Sequence, residues 1–97
     1  MAKLEFSLEV QASQGLDAKE SAKLCMIASK HSCRVQASKV GAGRWVNAKS
    51  VMGVLLLSAP KGAAIAFEIE AEDEEAGHFL KSELTAFFEA SFKLAQR

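Results

Sequence analysis

Asn47-Ala48-Lys49-Ser50-Val51-Met52-Gly53 decides the fold, because the hydrophobic period changes inside it. From Asn47 to Ser50 the residues are mostly polar types that cap helices. Val51, Met52, Val54, Leu55, Leu56 and Leu57 then follow too closely for a strand with one wet face, and Pro60 cannot continue a helix. The spacing predicts a short helix within Asn47–Ser58. On the upstream side, Cys33, Val35 and Ala37 alternate with Arg34, Gln36 and Ser38, and the Gly41–Gly43 turn leads to Trp45 and Val46, which predicts a hairpin over about residues 33–46. On the downstream side, the Lys61-Gly62 turn opens a strand in which Ala63, Ile65, Phe67 and Ile69 alternate with Ala64, Ala66, Glu68 and Glu70.

Further out, Leu4, Phe6, Leu8 and Val10 alternate with Lys3, Glu5, Ser7, Glu9 and Gln11, the clearest strand pattern in the chain. Ala18, Ala22, Cys25, Met26, Ala28 and Ser29 recur at helix spacing. Asp17 is placed to cap that helix, with Glu20 three positions on in a capping-box arrangement, and both charges suit the positive end of the helix dipole. At the other terminus, Glu72 to Glu75 opens a long helix whose stripe is Phe79, Leu80, Leu84, Phe87, Phe88 and Phe92, with Lys93 and Arg97 at its negative end. The expected order is β-α-β-β-α-β-α, an α+β open-faced sandwich with a four-stranded, mostly antiparallel sheet covered by helices on one face.

The 97 residues and the 49% hydrophobic fraction suit one domain over 1–97, with no linker. Twelve basic and twelve acidic side chains cancel, so no overall field favours nucleic acid or an anionic membrane. Cys25 and Cys33 match no metal-ligand spacing and read as buried thiols; no metal or other cofactor is expected. The first ten residues lack a signal-peptide core and no run suits a membrane span, so the expectation is a soluble, cytoplasmic, bacterial protein. His31 follows the first helix, where a cation is favourable; His78 falls on the polar side of the last helix; Trp45 reads as a packing residue.

Gly15-Leu16-Asp17-Ala18-Lys19 and Asn47-Ala48-Lys49-Ser50-Val51-Met52-Gly53 resemble two motifs of the HPr family, the phosphocarrier proteins of the bacterial phosphoenolpyruvate phosphotransferase system, and the element order agrees over nearly the full chain. In the family the first motif reads Gly-Leu-His-Ala-Arg-Pro. The resemblance therefore puts Asp17 at the phospho-histidine position, Lys19 at the arginine and Glu20 at the proline, and Ser50 at the regulatory serine. A helix N-terminus stabilises a transferred phosphate with free amides and its dipole, and a planar arginine clamps the oxygens. Asp17 and Glu20 bring negative charge instead, and Lys19 a point charge in place of a fork.

The plain account of Asp17 and Glu20 is a helix cap worth about 1 kcal/mol with the dipole term, and that of Ser50 is likewise a cap. Asp17 as a partial mimic of phosphohistidine is a sharper reading, weakened by its smaller charge and shorter reach. The intact match around Ser50 favours a regulatory phosphorylation site. The resemblance makes Val51, Met52 and Leu55, with Asp17, Lys19 and Glu20, a partner-docking surface, while Val54, Leu56 and Leu57 supply the inward face of the short helix. It implies a non-enzyme of the phosphotransferase system and sugar transport, regulatory through Ser50 and protein docking, with HPr kinase, a transcription factor and enzyme I as candidate partners. The alternatives are a divergent phosphocarrier and a non-phosphorylated HPr-fold interaction module.

Overall fold

The computed structural model describes the backbone of residues 1–95 and the side chains of residues 1–90. Its elements are β1 (Ala2–Glu9), α1 (Ala18–Ser29), β2 (Arg34–Lys39), β3 (Trp45–Asn47), α2 (Val51–Leu55), β4 (Ala64–Ala71) and α3 (Glu74–Ala95), the expected order. The strands form one sheet in the order β1-β4-β2-β3, with every neighbouring pair antiparallel.

The register explains why the alternating residues were legible. Leu4, Phe6 and Leu8 stand opposite Ile69, Phe67 and Ile65, and Val35 and Ala37 stand opposite Ile69 and Phe67 from the other side. One face of three adjacent strands is thus apolar. Phe67 lies at its centre, fully buried, stacked on Phe6 at 5.4 Å and meeting Phe88 of α3 edge-on at 5.9 Å; burying such a ring contributes about 1.5–3 kcal/mol. The opposite face carries Lys3, Glu5, Glu68, Glu70, Arg34 and Gln36, with Lys3 3.5 Å from Glu68.

Leu24, Cys25, Ala28 and Ser21 of α1, Val54 of α2, and Leu80, Leu84 and Phe88 of α3 cover the apolar face. Several side chains depart from the expected pattern. In α1 the buried stripe runs through Leu24, and Met26 and Ser29 point to solvent: helical spacing admits either arc, and the packing of α1 against α3 selects one. Phe79 is 59% exposed and lies outside the α3 stripe, where it meets His31 edge-on. Trp45 stands half exposed at the edge of the sheet, opposite Ser38, so it is not a core packing residue. Phe92, Lys93 and Arg97 fall outside the described side chains. Cys25 and Cys33 are buried free thiols, and burial pushes the Cys25 thiol up, away from reactivity.

The short helix is shorter than Asn47–Ser58. Asn47 belongs to β3, because it pairs with Gln36, and the helix starts only after Ser50. Leu56 is 58% exposed and does not supply the inward face; Val54 and Leu57 do. Leu56 follows Val54 by two residues, about 200° round a helix of about 3.6 residues per turn, so burying Val54 turns Leu56 outward.

Candidate functional site

Asp17 caps α1 as the spacing predicts: its Oδ1 accepts a hydrogen bond from Glu20 N at 2.9 Å, and its carbonyl accepts from Ser21 N at 2.8 Å. One of the first amides of α1 is therefore satisfied by a resident carboxylate. The other half of the reading concerns Glu20, whose carboxylate lies 3.8 Å from Lys23 Nζ. Asp17 and Lys19 are exposed and Glu20 is half-buried.

The approach to this helix is built by Gly15 and Leu16. Gly15 adopts φ +70, and a Cβ there would press on the Ala59 carbonyl oxygen and come within 2.9 Å of Pro60 Cα, so only glycine fits without displacement. Leu16 N donates to Ala59 O at 2.8 Å, and Ser21 Oγ to Leu16 O at 3.3 Å. Ala59 follows α2 after Ser58, a residue held at φ 49. The start of α1 and the exit of α2 are thus fastened backbone to backbone.

Ser50 is the N-cap of α2, with its Oγ accepting from Gly53 N at 3.1 Å and its own backbone extended. The side chain is half-buried. Val51 and Met52, directly after it, are exposed, Met52 by 70%, while Leu55 is half-buried. Of the three apolar residues expected outside, two are exposed, Met52 more than Val51. Leu56, expected inside, joins them on the surface. α1 and α2 pack against each other, so the Asp17 and Ser50 motifs belong to neighbouring helices.

A third feature of this region has no counterpart in the motifs. Lys49 Nζ donates to His31 O at 2.6 Å, and His31 Nε2 lies 2.5 Å from Glu83 Oε1 on α3, with Lys30 Nζ 3.4 Å from Glu83 Oε2. The hydrogen bond with His31 is the largest influence holding the Glu83 carboxyl below its ordinary value; partial burial opposes it, and Lys30 adds to it. No signal in the sequence connects residues 52 positions apart. His78 is exposed on α3, as its helical position suggests.

Chemically, the Asp17 end offers a carboxylate and a half-buried neighbouring Glu20 where a phosphate-holding site needs free amides and cations, whereas the Ser50 end offers a hydroxyl beside an exposed apolar surface. Among the described residues, no group of three or more His, Cys, Asp or Glu could hold a metal ion, and no helix is long and apolar enough to cross a membrane.

Residues 4–90 match the family described as PTS HPr component phosphorylation site. The phosphocarrier protein HPr of Xylella fastidiosa strain Temecula1 is 42% identical over 89 residues, covering 92% of this chain and 94% of the relative. Among solved structures, HPr-C-His of Thermoanaerobacter tengcongensis superposes with a TM-score of 0.76 at 30% identity, over 93% of this chain and 96% of that one. Crh, the catabolite repression containing protein of Bacillus subtilis, gives 0.62 at 30% identity over 87% and 91%. Sequence and backbone agree over nearly the whole length, and the chain belongs to the HPr family of the phosphotransferase system.

Proposed function

We propose that this HPr-family protein is a regulator that docks onto partner proteins and is switched by phosphorylation of Ser50, with Asp17 in place of the phosphate-accepting histidine. The observation that carries this reading is the Asp17 cap: its carboxylate takes the Glu20 amide at 2.9 Å, so negative charge already sits where a transferred phosphate would need free donors. Lys19, an exposed point charge, is a poor substitute for an arginine fork. The Ser50 motif, by contrast, is intact, and a phosphate on Ser50 would add close to two negative charges beside Val51 and Met52. That change is large enough to select between partners that read the apolar surface.

On this reading Asp17, Lys19, Glu20, Val51, Met52 and Leu55 form the docking surface, with exposed Leu56 enlarging it. The protein works in the cytoplasm as one domain, without a cofactor, and its partners are HPr kinase and a transcription factor or enzyme of the phosphotransferase system. The likeness to a catabolite repression protein supports a regulatory role.

A carrier role is the second reading, favoured by relatives that are phosphocarrier proteins and by the exposure of Asp17, whose carboxylate could accept a phosphoryl group as an acyl phosphate. Intact-mass measurement after separate incubation with enzyme I plus phosphoenolpyruvate and with HPr kinase plus ATP separates the two. The regulator gains one phosphate from the kinase alone, and Ser50→Ala abolishes it. Phosphate gained from enzyme I and lost in Asp17→Asn makes the protein a carrier, and no gain in either tube leaves an interaction module.

A further inference from the structure

Where the β2–β3 ladder ends, two cations face one cleft. Gln36 stands opposite Asn47, and Ala48 N donates to Val35 O at 3.0 Å, so Arg34 and Lys49 come next across the two segments. There the chains part, leaving a cleft of about 400 Å³ bordered by Arg34, Lys49, Ser32, Gln36 and Asn47. No carboxylate lines it. Among the described residues neither Arg34 nor Lys49 forms an ion pair, although the chain as a whole is neutral. Glu70 stands opposite Arg34 on β4 without closing on it, and Glu68 is paired with Lys3. Like charges facing each other across two strands are unfavourable unless an anion lies between them.

We propose that this cleft binds a phosphate-type oxyanion, either inorganic phosphate or the phosphoryl group of a small phosphomonoester, at a site distinct from Asp17 and Ser50. The donors match that chemistry. Arg34 presents a planar fork that can take two oxygens, and Lys49 is a point charge with three donors, of which the bond to His31 O uses one. Asn47 Oδ1 accepts from Lys49 N at 2.9 Å, so the donor half of its amide, the NH₂, is what it has left to offer a ligand, and Ser32 and Gln36 add neutral donors. Two cations and three neutral groups suit a dianion with several oxygens better than a monocarboxylate.

The test is an amide NMR titration of the full chain with inorganic phosphate and, in parallel, with glycerol 3-phosphate, each compared with sodium chloride at matched ionic strength. Saturable shifts at millimolar ligand, centred on Ser32–Gln36 and Asn47–Lys49 and absent with chloride, are expected. Arg34→Met and Lys49→Met should each weaken binding about tenfold or more, the effect of losing one charge-assisted contact. Saturation by both ligands assigns the site to phosphate itself, and saturation by the ester alone assigns it to a phosphorylated metabolite. Shifts that match those of chloride, that centre on the start of α1, or that persist unchanged in Arg34→Met overturn the proposal. Arg34 is exposed, so that variant decides the matter even if Lys49→Met, which also removes the tie to His31, perturbs the fold.

Discussion

His31 Nε2 and Glu83 Oε1 lie 2.5 Å apart, joining the turn after α1 to the middle of α3. Because Lys49 Nζ holds the His31 carbonyl at 2.6 Å, the same turn is also tied to the segment that precedes Ser50. The pair is therefore a junction between α1, α3 and the entry to α2.

This junction gives the protein a specific acid sensitivity. Glu83 titrates below its ordinary 4.5 in the folded state, first through the hydrogen bond with His31, against partial burial and with help from Lys30. A carboxyl whose folded value is depressed stabilises the fold fully above its unfolded value, and that stabilisation is lost as pH falls through the folded value. Glu83→Gln should lower the urea midpoint at neutral pH and flatten the fall in stability below about pH 4.5. Identical acid limbs for the variant and the parent would show that the pair contributes nothing.

The cap at Asp17 has a separable cost. Asp17→Ala removes the acceptor for Glu20 N and should destabilise the protein by about 0.5–2 kcal/mol in chemical denaturation. Asp17→Asn, which keeps an acceptor oxygen, should lose a few tenths.

Gly15 and Gly62 both have positive φ, at +70 and +92, but only Gly15 is crowded. A Cβ at Gly62 meets nothing within 4 Å. Gly62→Ala should therefore cost about 1 kcal/mol from backbone strain alone, while Gly15→Ala should cost about 2–4 kcal/mol, because the Leu16–Ala59 fastening must also shift. Equal costs would mean that the close approach at Ala59 relaxes freely.

The choice of buried arc on α1 is testable by truncation. Leu24→Ala should lose about 2–5 kcal/mol and Met26→Ala no more than about 0.5 kcal/mol, since Leu24 is fully buried and Met26 faces solvent.

Restoring a histidine alone should restore little phosphotransfer. In Asp17→His the half-buried Glu20 and the point charge of Lys19 remain beside the new imidazole. Enzyme I-dependent labelling should stay far below that of the triple variant Asp17→His, Lys19→Arg, Glu20→Pro. Full labelling of the single variant would remove the argument from Lys19 and Glu20.

The elements and their order were legible because each strand has a single apolar face. Ile65, Phe67 and Ile69 can be buried together only if they share one side of a strand, so period two in the sequence leaves little choice. Asp17 and Ser50 were legible as caps for a similar reason: the bonds to Glu20 N and Gly53 N span three residues, and local spacing determines local bonds. What sequence could not determine was how each helix is rotated and where a short one stops. Met26 or Leu24, Leu56 or Leu55 and Phe79 inside or outside are equivalent by period alone, and contacts made by distant elements select among them. The His31–Glu83–Lys49 junction and the cleft between Arg34 and Lys49 are further from reach still. They join residues with no common spacing. Packing of the helices on one side of the sheet brings His31, Glu83 and Lys49 together, and the register of β2 against β3, which the alternating pattern of the hairpin does not fix, sets Arg34 across from Lys49.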